Sequence, residues 1–127
     1  MGGGRMAATG SKLGFMGGGR KPGAKPATYA ELVALPDNVI GEIVDGELIA
    51  SPRPALPHAN ASSGIGSNLF EPFHRKPGDP GGPGGWWILY EPELHLGEDV
   101  LVPDLAGWRR ERMPKMPSTA FFTLTPD

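Results

Sequence analysis

The 127-residue sequence contains no cysteine. That excludes disulfides, thiolate zinc sites and a cysteine nucleophile, and it agrees with a reducing, cytoplasmic setting. No apolar run approaches the ~18 residues of a membrane-spanning helix, so no bilayer-crossing segment is expected. Basic residues near the N-terminus are not followed by a continuous apolar stretch, and no secretory signal is read. Glycine follows no G-x-y period, which excludes a collagen helix. Gly81-Gly82-Pro83-Gly84-Gly85 lacks the lysine and the strand-to-helix setting of a phosphate-cradling loop. A G-x-S-x-G nucleophile elbow is also missing.

What is present is glycine (20) and proline (15), which together make up 35 of the 127 residues. They concentrate in residues 1–27 and 74–85, which leaves an ordered body of at most ~100 residues with a small core. The motif MGGGR occurs twice, at Met1–Arg5 and Met16–Arg20. Residues 1–27 carry Arg5, Lys12, Arg20, Lys21 and Lys25 and no acid. They read as a disordered, Gly-rich basic tail, or alternatively as a basic arm that touches nucleic acid. The body, 28–127, carries seven Lys/Arg against 14 Asp/Glu. An acidic body does not advertise broad phosphate-backbone binding. Carboxylates gathered around a cation would invert the local charge.

Thr28-Tyr29-Ala30-Glu31 has the form of a capping box, and Tyr29, Leu32 and Val33 recur at helical spacing up to Pro36. Asp45-Gly46, between two short alternating runs, predicts a hairpin with a two-residue type I′ turn. Alternation assigns Glu42, Val44, Leu48 and Ala50 to one face, with Ile43, Glu47 and Ile49 on the other. After the prolines at 52, 54 and 57, a weak helix is expected from His58 to Phe73, its apolar stripe being Ile65, Leu69 and Phe73 with Phe70 beside it. Residues 76–85 read as a mobile loop. Trp86–Tyr90 is a strand by propensity, continued or paired by Glu93–Leu96. Gly97-Glu98-Asp99 is a turn, and Val100–Trp108 is a second long strand interrupted at Pro103. Phe121–Leu124 is expected to be a last strand. Little sequence remains after Leu124 to cover the apolar face of this hairpin, so the body reads as the first part of an α/β sandwich.

Asp104 is the foremost candidate for chemistry. It follows a proline at a strand interruption, where distortion re-aims side chains, and aspartate disfavours strands. The structural alternative is a turn aspartate satisfied by backbone amides. Glu42, on the early hairpin, would add a second carboxylate to an oxygen-rich site for a hard divalent ion, or it is a surface glutamate. His58 is a metal ligand, a base, a phosphate contact or a surface cap. His74 and His95 lack partners at a metal-binding spacing. Arg109, Arg110 and Arg112 meet phosphate or nearby acids. Trp86, Trp87 and Trp108 read as core and rim packing.

In order, Thr28-Tyr29-Ala30-Glu31 with Leu35-Pro36, Gly41–Leu48, Ser51-Pro52-Arg53-Pro54 with His58 downstream, and Val102–Trp108 resemble the Uma-type restriction endonuclease family, within the PD-(D/E)XK nuclease superfamily. The resemblance covers about residues 28–127. It implies an α/β fold of restriction-endonuclease type, a mixed sheet flanked by helices. It also implies Mg²⁺-dependent hydrolysis of DNA phosphodiesters. Asp104 falls at the family's first metal-binding aspartate, Glu42 at a glutamate heading the first hairpin, and His58 at a family-like histidine. Such proteins continue past a Pro-Asp like Pro126-Asp127 into Glu-x-x-Ser and a helix with a lysine, which have no counterpart here. The resemblance therefore implies a truncated, partial endonuclease-like domain over 28–127. Two functions are expected: part of a DNA endonuclease inactive as this fragment, or a non-catalytic remnant that associates with itself through an unfinished sheet.

Overall fold

A computed structural model describes residues 23–127, in two compact units. Among them, the first comprises residues 23–55 together with Leu94–Val102, and the second comprises Leu56–Glu93 and Pro103–Asp127. Residues 1–22 of the expected tail lie outside the described residues. Ala27, at its inner end, donates its N–H to the Gly46 carbonyl (2.8 Å) and packs on the first unit's core.

In the first unit, helix α1 (Tyr29–Val33) starts where the capping box places it. The Glu31 amide donates to Thr28 Oγ1 (3.2 Å), and the Thr28 amide donates to Glu31 Oε1 (3.3 Å). A five-residue helix has little intrinsic stability, so these caps and the burial of Leu32 hold it. Strands β1 (Val39–Val44) and β2 (Glu47–Pro52) form the predicted hairpin. Asp45 (φ 51°) and Gly46 (φ 80°) both take the left-handed conformation that a type I′ turn demands.

The face assignment is corrected by the register. Val44 pairs with Glu47, Ile43 with Leu48 and Glu42 with Ile49. Directly opposed residues of an antiparallel pair share a face. A two-residue turn therefore reverses the odd–even alternation, and Ile43 lies with Leu48, not with Glu47 and Ile49. That face meets α1 in a core of Leu32, Ile43 and Val100, with Ala27 and Leu48 beside it. Gly41 lies under α1: a Cβ there would come within 2.6 Å of Leu35 Cδ1. Strands β4 (Leu94–Leu96) and β5 (Asp99–Leu101) complete an antiparallel sheet in the order β2-β1-β5-β4.

In the second unit, helix α2 runs Leu56–Phe73, beginning two residues before His58. Pro57 sits in its first turn, where the missing N–H has no helical partner to lose. The expected stripe is not the packed face. Ile65, Leu69 and Phe70 are exposed, whereas Gly66 is buried and Ala59, Ser62 and Phe73 are half-buried. The helix turns small residues inward because the Tyr90 ring lies directly on Gly66.

Strands β3 (Trp86–Tyr90) and β6 (Leu105–Arg109) pair antiparallel from Trp86↔Arg109 to Tyr90↔Leu105. In the first unit, the β4–β5 ladder runs from Leu94↔Leu101 to Leu96↔Asp99, turned at Gly97-Glu98. Pairing lapses between Tyr90↔Leu105 and Leu94↔Leu101, around Pro92 and Pro103. The expected long strand at Val100–Trp108 is thus two strands in two sheets. Pro103 cannot donate to a ladder and marks the break.

Trp108 is fully buried, stacks on Phe122 (centroids 4.6 Å apart) and donates Nε1–H to the Leu124 carbonyl (2.8 Å). Phe121–Leu124 forms no strand, only an isolated bridge at Phe122, whose amide bonds the Glu93 carbonyl (2.9 Å). The loop at 76–85 is tied at both ends. Gly84 donates to the Pro72 carbonyl (3.0 Å), Gly85 to the Arg75 carbonyl (2.7 Å), and Arg75 Nη1 to the Pro80 carbonyl. His74 shields the outer edge of β3, its Nδ1 accepting the Ile88 N–H (2.9 Å). Among the described residues, no helix is long and apolar enough to cross a membrane.

Candidate functional site

In the second unit, Asp104 stands at the lapse in the ladder, immediately before β6. Its carbonyl accepts the Glu91 N–H (3.0 Å), and Glu91 is held at φ 46°, a strained setting for a non-glycine residue. The break is therefore pinned by the backbone, and the Asp104 side chain is left free to project. Among the described residues, no backbone amide holds this carboxylate. It meets His58, whose Nε2 lies 3.2 Å from Oδ1. A carboxylate is an acceptor, so the imidazole donates from Nε2. The two side chains are 57% and 44% exposed. A pair this open to water adds little to stability, so stability does not account for it.

The helix brings this pair together. His58 projects from the first turn of α2, and α2 seats on β3 through Gly66 and Tyr90. The partners are 46 residues apart in sequence.

In the first unit, Glu42 is buried on β1, and its Oε2 accepts the Val102 amide (2.8 Å). It lies on the face away from α1. By register Ser51 shares that face, since Glu42 opposes Ile49 and Ile40 opposes Ser51. Ser51 is also buried, and its Oγ has no hydrogen-bond partner among the described residues. Sequence reasoning missed Ser51. With the correct turn parity, its position beside Glu42 follows from the hairpin alone.

The remaining histidines are structural. His74 stacks on Phe70 (4.1 Å), and burial, then Arg110, hold its imidazole below the ordinary value against the opposing pull of the Ile88 carbonyl. His95 packs edge-on to Tyr29 (4.8 Å). Arg109 grips Asp127 through Nε (3.1 Å) and Nη2 (2.9 Å), and Arg112 reaches its other oxygen (2.8 Å). The Arg109 amide first, and these guanidinium groups with it, lower the Asp127 carboxyl to about 2. No group of three or more His, Cys, Asp or Glu side chains able to hold a metal ion is gathered among the described residues.

The fold is similar to that of a protein from Anabaena variabilis ATCC 29413 named as a "putative nuclease belonging to DUF820", solved at 1.96 Å. The TM-score is 0.57 at 22% identity, over 80% of this chain and 55% of that one. This chain thus spans about half the length of that neighbour. The likeness is one of fold, and it agrees with the α/β, restriction-endonuclease-like class expected from the sequence. Every ladder among the described residues is antiparallel. No protein-family model matches the chain, and no curated protein does.

Proposed function

We propose that this chain carries part of a Mg²⁺-dependent endonuclease that hydrolyses DNA phosphodiester bonds, with Asp104 as a metal-binding carboxylate and Glu42 as a second. The observation that supports it best is the Asp104 carboxylate, exposed at a pinned break in a nuclease-like sheet and met, among the described residues, by an imidazole. His58 is an accessory group. Held at Nε2, it offers Nδ1 to a water.

Magnesium takes oxygen ligands in near-octahedral geometry, through one or two carboxylates with waters and substrate phosphates. Glu42 and Ser51 supply hard oxygens, but Glu42 Oε2 is committed to the Val102 amide. Each unit offers one candidate carboxylate. These donors do not make a complete protein cage, and no reaction step is drawn through the ion. Residues 1–127 are therefore expected to show no turnover by themselves. Nicking of supercoiled plasmid tests both parts. A longer form of the protein should nick with Mg²⁺ and lose that activity with Asp104→Ala, while 1–127 should not nick. Equal nicking by the Asp104→Ala form refutes the assignment, and Mg²⁺-dependent nicking by 1–127 refutes the inactivity.

A second reading is self-association, and the exposed Ile65, Leu69 and Phe70 along α2 favour it. Sedimentation of 1–127 tests it, since a clean monomer argues against it.

A further inference from the structure

The described body is acidic, but its cations are not evenly spread. Of the seven Lys/Arg in 28–127, only Arg53 lies in the first unit. The other six belong to two segments of the second unit, Arg75-Lys76 and Arg109–Lys115. Gly85 joins these segments: its amide donates to the Arg75 carbonyl (2.7 Å), and its carbonyl accepts the Arg110 amide (2.8 Å). Arg75 and Arg110, 35 positions apart, thereby sit either side of one glycine at the Trp86 end of the β3–β6 ladder.

Three of these cations are already spent. Arg109 and Arg112 hold Asp127, and Arg75 holds Glu71 (3.0 Å). Arg110, Lys76 and Lys115 have no carboxylate partner among the described residues. Arg110 is also fixed in place. Its guanidinium carbon lies 3.6 Å over the Trp87 ring, and its Nε donates to the Trp86 carbonyl (3.0 Å). Stacking covers one face of the guanidinium and the carbonyl takes Nε, which leaves the two terminal nitrogens as donors. A planar fork fixed in this way loses little freedom on meeting a phosphate.

We propose that this end of the ladder binds the phosphate backbone of duplex DNA, with Arg110 as the central contact and Lys76 and Lys115 flanking it. This rests on the nuclease reading for the choice of DNA and deepens it by locating a substrate-binding surface away from Asp104. Three unspent cations correspond to about three phosphates, and each contributes ~0.9 to the slope of log K against log salt.

The experiment is fluorescence anisotropy of a labelled ~20-bp duplex with the full chain, in EDTA, between about 50 and 200 mM salt. Lys76→Ala/Lys115→Ala changes two exposed side chains, so folding is not at risk. It should weaken binding about tenfold at the low-salt end and lower the slope by about two. Arg110→Gln should lower the slope by about one, with tryptophan fluorescence confirming that the fold is retained. Lys12→Ala/Lys25→Ala removes the same charge from the tail and should change affinity less than the Lys76/Lys115 pair. Duplex binding with slopes unchanged in both patch variants overturns the proposal. So does absence of duplex binding by the folded chain, or equal competition by a polyglutamate of matched charge. Binding in EDTA involves no cleavage, so a failure of the nuclease reading would appear separately, in the Asp104→Ala nicking assay.

Discussion

Gly66 decides how α2 sits on β3, and hence whether His58 reaches Asp104. A Cβ at residue 66 would come within 2.6 Å of Tyr90 Cζ, and closer still to the ring's Oη and Cε1. Ordinary carbon contacts begin near 3.4 Å, so the ring or the helix must move by roughly 1 Å. Gly66→Ala gains ~1 kcal/mol of helix propensity and loses ~1–3 kcal/mol to overpacking. The net expectation is a loss of up to ~2 kcal/mol. Gly64 is the internal standard, because a Cβ there meets nothing within 4 Å. Gly64→Ala should therefore show the propensity gain alone, about 1 kcal/mol of stabilisation. In a Tyr90→Ala background the obstacle is gone, and Gly66→Ala should reverse sign and stabilise by about the same amount. Urea unfolding of the four members of the cycle, with the Gly64→Ala control, measures this directly. If Gly66→Ala stabilises the parent as much as Gly64→Ala does, or if the cycle shows no coupling, α2 does not pack as described.

Trp108→Phe keeps an aromatic partner for Phe122 but leaves the Leu124 carbonyl without its indole donor. It should cost ~1–3 kcal/mol by urea titration, and a cost near zero would mean that the tail is not held there. Glu42→Gln retains an acceptor for the Val102 amide and should cost ~1 kcal/mol or less, whereas Glu42→Ala strands that half-buried N–H and should cost ~1–3 kcal/mol more. Equal costs would contradict the bond. His74 is held below its ordinary value of 6.5, so the unfolded chain takes up this proton more readily than the folded one. Its contribution to stability is present above about pH 6.5 and is lost as the pH falls below it. The melting temperature should decline from pH 7 towards pH 5. His74→Gln should flatten that decline, and an unchanged profile would refute the assignment. Asp127, lowered to about 2, adds stability that is lost only as the pH drops below about 4.

Local chemistry made much of this fold legible. The Thr28–Glu31 box and the Asp45-Gly46 turn need only their own residues, and both stand as read. The hairpin faces were mis-phased because alternation was carried through a two-residue turn without the reversal that it imposes. The Pro103 break was visible, but a missing donor says only that pairing stops, not that the next strand joins another sheet. The helix face failed for a different reason. Large apolar residues at a spacing of four suggest a core stripe, yet a tyrosine ring lying on Gly66 selects the small residues instead. Asp104 stood out as a carboxylate at an interruption. Its meeting with His58 depends on the seating of α2, which no local pattern encodes, and the stacking of Arg110 on Trp87 likewise needs β3 and the end of β6 brought together.

The central claim is that the Asp104 carboxylate takes part in phosphodiester cleavage. Asp104→Asn keeps the shape of the side chain and its bond to the His58 ring while removing the negative charge. Single-turnover nicking by a longer form of the protein, at saturating Mg²⁺ and with DNA affinity matched beforehand in EDTA, compares the two side chains directly. The account predicts a loss of at least ~100-fold in rate with DNA affinity unchanged, as befits a charge that acts on the reacting group. Nicking by the Asp104→Asn form at the parent rate would contradict it.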